Sequence, residues 1–141
     1  MELSALPFPR RILVTGGSGT FGQAFTRSVL TTTSDTVLSL FSRSEYAQVL
    51  LRRQFACYGE RVVCVIGDVR NVQRLREACR GQDAVIHAAA LKHIAIGEEA
   101  PAEVIATNIL GTQNVLQAVA DTHVPACIVL SSDKAVDPAN L

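Results

Sequence analysis

Short, apolar, β-rich runs alternate with longer amphipathic ones along the whole chain, and this alternation narrows the possible folds more than any other property. It marks βαβ units and a parallel sheet. "RILVT" (Arg11–Thr15) reads as a first strand, followed by a glycine-rich turn and a helix over about 20–30. "TVLSLF" (36–41) is the second strand, and a helix over 44–58 follows with Ser44 as its cap. "RVVCVIGD" (61–68) is the third strand, then a helix over 72–79. "DAVIHAAA" (83–90) supplies the fourth strand and its outgoing loop. Pro101, a residue favoured at the first helical position, opens a long helix over about 101–121. "ACIVLSS" (126–132) is the fifth strand. Runs that are apolar throughout, such as 12–14 and 127–130, fit strands buried on both faces.

Composition excludes several classes. A chain of 141 residues suits one domain with enough core to fold alone. Thirteen basic and thirteen acidic residues cancel, which gives no electrostatic case for nucleic acid or an anionic membrane. The apolar runs are strand-length, far below the roughly 18 residues of a membrane span. The opening "MELSALPFPRR" lacks an apolar signal core. Cys57, Cys64, Cys79 and Cys127 are scattered without CxxC spacing, as expected for reduced thiols in a cytoplasmic protein. His87, within a strand, and His123, in a surface turn, have no partners at metal spacing, so no metal is expected.

"VTGGSGTFG" places Gly16, Gly19 and Gly22 in the spacing GxxGxxG, directly between a strand and a helix. Gly16 permits the tight turn, Gly19 lets backbone approach a pyrophosphate, and Gly22 allows close helix–strand packing. Phosphate then sits at the helix N-terminus, where free N–H groups and the helix dipole attract anions. Three glycines alone are weak evidence, but the strand before and the helix after supply the context that dinucleotide binding requires. The expected fold is therefore an α/β, doubly wound Rossmann sheet of five strands in the order 3-2-1-4-5, one unit over residues 1–141. Gly16, Ser18, Gly19, Thr20, Phe21 and Gly22 are the candidate cofactor contacts of the turn.

The second strand ends in "LFSRSE", where NAD-binding folds usually place Asp or Glu for the ribose 2′-hydroxyl. Ser42 and Arg43 hold that site here, and Arg is the residue that accommodates a 2′-phosphate, so NADP is favoured over NAD. Asp68 and Val69 are placed to meet the adenine. Ala88, Ala89 and Ala90 are small enough to let the cofactor lie against the fourth loop, and Lys92 and His93 follow them as candidate contacts to substrate or phosphate. Asn108, flanked by apolar residues in the long helix, faces inward and needs hydrogen-bond partners.

Together GxxGxxG, "GDVR", "IHAAALKH", "TNILGTQNV" and "SSDKAVDPANL" resemble the extended short-chain dehydrogenase/reductases. Within them they are most similar to the inverting UDP-N-acetylglucosamine 4,6-dehydratases of surface-polysaccharide biosynthesis. The resemblance runs from about residue 11 to 141; "AALKH" and "SDKAVDP" are its most specific parts. It implies an NADP-dependent dehydration of a UDP-N-acetylhexosamine with inversion at C5. Lys134 matches the base that removes the C5 proton, and Asp133 the acid that protonates the departing C6 hydroxyl. Ser132 stands where the family usually has Thr and keeps the hydroxyl, while Asp137 replaces a common Asn. Asn108 matches an Asn that organises the site.

Those roles make physical demands. A lysine base must be partly neutral near pH 7, and an aspartic acid donor must have a raised pKa, so the adjacent pair must diverge around the substrate rather than join. Family members continue with a Tyr or Met, a Gly and a Lys, and with a C-terminal region that grips the UDP-sugar. The expectation is therefore an N-terminal, C-terminally truncated portion without turnover of its own, and with an exposed fifth strand that favours homo-oligomers. The alternatives are another nucleotide-sugar epimerase or reductase, and a non-catalytic NADP-binding fragment.

Overall fold

The structure, a computed structural model, describes residues 8–132. Five strands, β1 (Arg11–Thr15), β2 (Val37–Ser42), β3 (Val62–Ile66), β4 (Ala84–His87) and β5 (Ala126–Val129), form one sheet. Its order is β3-β2-β1-β4-β5, as expected, and every pairing is parallel. The helices are α1 (Thr20–Thr32), α2 (Glu45–Gln54), α3 (Val72–Cys79), α4 (Ile94–Glu99), α5 (Pro101–Val104) and α6 (Gly111–Thr122).

Side chains of a strand alternate between faces, and in β1, β2 and β4 both faces are buried. Ile12 and Val14 of β1 and Leu38 and Leu40 of β2 pack with Val29, Leu30, Leu51 and Phe55 under α1 and α2. Leu13 points the other way, into Phe41, Leu75, Val85, Val115 and Ala118 beneath α3 and α6. A strand with no polar face can only be satisfied by two helical layers, which is why β1 sits at the centre. At the outer edge, β5 leaves Ile128, Val129 and Leu130 exposed. The apolar run 127–130 is not buried on both faces as expected, because no strand or helix among the described residues covers its outer side, and it matches instead the exposed fifth strand read from the sequence.

Local chemistry sets the element ends. Ser44 caps α2 by accepting from the Ala47 N–H at 3.2 Å, and Asn71 caps α3 by accepting from the Arg74 N–H at 3.0 Å. The helix expected over 44–58 stops at Gln54, because Phe55 turns into the core and residues 56–61 continue as a 3₁₀ segment. Arg61 then donates to the Leu30, Thr33 and Thr36 carbonyls, supplying a cation at the C-terminal end of α1.

The long helix expected over 101–121 is present, but it is not uniform. Between α5 and α6, residues Ile105–Leu110 form a π-helical segment. Within this segment Thr107 is buried and Asn108 reaches the loop after β4. The helix α4 was not expected: it is six residues long, contains Gly97 and has neither a capping side chain nor a buried residue.

Leu75 is fully buried, whereas Leu50 of α2 is 44% exposed. Leu75→Ala is expected to cost about 2–5 kcal/mol and Leu50→Ala at most about 0.5 kcal/mol, measured as urea midpoints at constant slope.

Candidate functional site

The glycine turn is built by close approach. Gly16 has φ +69°, and a Cβ on it would lie 2.7 Å from the Ala88 carbonyl oxygen. The Gly19 N–H donates to the Gly16 carbonyl at 2.9 Å and closes the turn. A Cβ on Gly22 would fall 2.7 Å from the Gly16 oxygen and the Gly17 Cα, so α1 could not start so close to β1. Gly17 lies outside the motif spacing and was missed by it. Its Cβ would meet the Leu40 Cβ at 2.8 Å, and its N–H donates to the Phe41 carbonyl, which seats the turn on β2. Gly19 is the N-cap of α1 and contributes no capping side chain, which leaves the helix start open to a ligand.

Above this turn lies a cleft of about 320 Å3, at the point where the chain reverses between β1 and β4. Gly16, Ser18, Gly19, Thr20, Phe21 and Gly22 form its floor. Ser42 and Arg43 at the end of β2, Val69 after β3, Ala88, Ala89 and Ala90 after β4, and Lys92 form its walls. Phe41, Ser44, Gly67 and Thr107 also line it and were not anticipated. Gly67 is there because a Cβ would collide with the Phe41 ring.

Three expected contacts stand outside this lining. Asp68 turns away because Arg70 holds it: its carboxylate accepts from the Arg70 N–H at 2.9 Å, Nε at 3.0 Å and Nη2 at 2.7 Å. Burial raises the Asp68 pKa, but the hydrogen bonds and charge of Arg70, with the charge of Arg43, more than offset this and hold it below the usual carboxylate range. His93 is exposed as the N-cap of α4. Asn108 is spent on the fourth loop: its Oδ1 accepts from the Leu91 N–H and its Nδ2 donates to the Leu91 carbonyl, both at 2.8 Å. Ser132 follows β5 and is exposed, while Asp133 and Lys134 lie outside the described residues.

Thr107 contributes what the sequence did not announce. It is 3% exposed, it lines the cleft, and its hydroxyl has no hydrogen-bond partner among the described residues. A buried polar atom without a partner is costly, so this hydroxyl is set up for a ligand group in the cleft.

His87, expected to be structural, is the centre of a buried relay. The Thr112 hydroxyl donates to the Asn108 carbonyl at 2.6 Å, so it accepts from His87 Nε2–H at 2.9 Å. That leaves His87 Nδ1 to accept from the Thr15 hydroxyl at 2.6 Å, and Thr15 Oγ1 accepts in turn from the Ala88 and Ala89 N–H groups. The relay joins β1, β4, the lining loop and α6 in one direction, with the imidazole neutral. Burial lowers the His87 pKa below its ordinary 6.5.

This constellation is that of a Rossmann nucleotide-binding domain of the short-chain dehydrogenase/reductase type, and solved neighbours of this class include enzymes with bound NAD. The chain belongs to the polysaccharide biosynthesis protein family, which it matches over residues 12–141. It is 44% identical over 132 residues to a UDP-N-acetylglucosamine 4,6-dehydratase (inverting) of Campylobacter jejuni, covering 94% of this chain and 39% of the relative. It is 43% identical over 136 residues to a protein of Rickettsia massiliae named UDP-glucose 4-epimerase, covering 93% and 39%. The structure of Pen from Bacillus thuringiensis superposes with a TM-score of 0.89 at 39% identity, covering 93% of this chain and 40% of that one. The chain thus spans about two-fifths of the length of these relatives. Among the described residues no helix is long and apolar enough to cross a membrane.

The His87 relay predicts a pH dependence. Between 6.5 and the lowered folded pKa the unfolded chain binds more protons than the folded one, so stability is full above 6.5 and falls as pH falls through that window. The melting temperature is expected to drop between about pH 7.5 and about pH 5.5 more steeply than that of His87→Gln. Equal slopes would remove the assignment.

Proposed function

We propose that this chain provides the cofactor cleft and part of the catalytic set of an NADP-dependent nucleotide-sugar 4,6-dehydratase acting on a UDP-N-acetylhexosamine. The observation that carries the reading is the cleft itself: a cradle of glycines that any Cβ would fill, at an open helix start, with Arg43 and no carboxylate lining the end of β2. These residues fit a dinucleotide. The turn would hold the pyrophosphate, Ala88, Ala89 and Ala90 would give the rings a flat apolar wall, and Thr107 Oγ1 would satisfy its hydrogen bond on the ligand. Arg43 would pair with a 2′-phosphate through a planar, permanently charged fork. Bound there, NADP supplies the hydride acceptor and donor of an internal redox cycle.

The remaining steps belong to the chain. Lys134 takes the C5 proton, acidified by the adjacent ketone, and Asp133 gives a proton to the leaving C6 hydroxyl. Lys92 lines the cleft wall and would contact the substrate or a phosphate. The free cysteines are consistent with a cytoplasmic setting.

A second reading, epimerisation, is favoured by the resemblance to the Rickettsia protein. The products separate the two: a dehydratase releases one water from the sugar, whereas an epimerase leaves its mass unchanged. The Asp133–Lys134 pair supports dehydration, because epimerisation at C4 needs no proton transfer at C5 or C6.

Two tests follow. Arg43→Ala is expected to weaken NADP binding about tenfold or more, as loss of a charge-assisted contact does, and to leave NAD binding nearly unchanged in calorimetric titrations. An equal loss for both cofactors would remove the NADP assignment. In a protein extended to the length of its relatives, Lys134→Ala is expected to abolish water loss from UDP-N-acetylglucosamine while NADP still binds. Retained dehydration would exclude Lys134 as the base.

A further inference from the structure

Four charged side chains stand in sequence beside the β2 end of the cleft: Arg43, Asp68, Arg70 and Glu103. Arg70 is the hinge of the group. Its backbone N–H, Nε and Nη2 all donate to Asp68, and its Nη1 donates to Glu103 Oε2 at 2.7 Å. Arg43 Nη1 lies 3.9 Å from Asp68 Oδ2, an ion-pair separation beyond hydrogen-bond reach. Asp68 thus accepts three hydrogen bonds from one arginine while a second, which lines the cleft, stands close enough to be captured by it.

We infer that Arg70 is a specificity-determining residue for the cofactor: by taking up the Asp68 carboxylate it leaves the Arg43 guanidinium for a 2′-phosphate, and so sets the preference for NADP over NAD. This rests on the NADP reading above. With all four side chains in place, two cations balance two carboxylates. Without Arg70 the group carries one net negative charge, and the nearest cation to Asp68 is Arg43. Both changes oppose a phosphate that carries between one and two negative charges near neutral pH. Neither opposes the neutral 2′-hydroxyl of NAD.

The test is calorimetric titration of NADP and NAD into the wild-type protein, Arg70→Ala and Arg70→Ala/Asp68→Asn. Arg70→Ala is expected to weaken NADP about 5- to 10-fold while NAD stays within about twofold, with the difference shrinking as salt rises. The added Asp68→Asn change is expected to restore most of the NADP:NAD ratio. Parallel losses for both cofactors would show that Arg70 only supports the wall of the cleft, and an unchanged ratio would likewise overturn the proposal. Should Arg70→Ala not fold, Asp68→Asn alone is the second readout: it should raise the NADP:NAD ratio, and a fall would overturn the proposal. A wild-type protein with no preference for NADP removes the reading beneath it, and that result is obtained before any variant is made.

Discussion

Three stretches of backbone meet at the glycine turn more closely than side chains would permit. The Gly16 and Gly22 positions bring the end of β1, the start of α1 and the Ala88 carbonyl together, each with room for hydrogen only, and Gly17 seats the same turn on Leu40. A methyl group at any of these positions would have to displace backbone, because the atoms it would strike are mostly main-chain atoms or a strand Cβ. The rest of the site depends on that approach. It sets where α1 begins, and hence where its free N–H groups point. It also determines how near the β4 loop comes to the turn, and hence how wide the cleft is.

The opposite wall is held by polar rather than steric means. Thr15, at the end of β1, takes the N–H groups of Ala88 and Ala89, while Asn108 takes both the N–H and the carbonyl of Leu91. His87 and Thr112 join the two anchors. The Thr112 hydroxyl, the His87 Nε2–H and the Thr15 hydroxyl all donate in one sense along that chain, so reversing any one of these bonds would require reversing its neighbours. Buried networks that are satisfied in only one sense favour one arrangement of the backbone they hold. The loop lined by small alanines therefore keeps its shape without bulky side chains of its own.

The difference between what could and could not be read from the sequence follows range and period. Strand order and the glycine turn were legible because alternating apolar strands and amphipathic helices, and a strand–turn–helix context, are written in the sequence itself. The Ser44 cap was legible because it acts within three residues of itself. The π-helical segment was not legible, since "IATNIL" differs in no local preference from an α-helical turn. With it went the separate targets of Thr107 and Asn108. The capture of Asp68 by Arg70 was also hidden: "GDVR" shows an acid where an adenine contact belongs, but not that the next arginine is already bound to it. Gly17 and Gly67 are spatial requirements set by Leu40 and Phe41, more than 20 residues away in sequence, and no motif spacing records them.

The parallel order also bears on how the reactive cluster proposed after β5 could serve a cofactor proposed to lie against four other loops. In a parallel sheet every strand delivers its outgoing loop to the same edge. Register makes this specific: His87 pairs with Val129, and the Leu130 N–H donates to the His87 carbonyl at 3.0 Å. The chain therefore leaves β5 directly beside the point where Ala88 leaves β4. Chemistry placed immediately after β5 needs no long connection to reach the wall of the cleft, since sheet geometry brings the two together. On the proposed function, the same logic would give the β2 and β3 ends, at the far side of β1, the choice of cofactor rather than the handling of the sugar. On that proposal, recognition and reaction would be divided along the sheet by strand position, with the glycine turn of β1 between them.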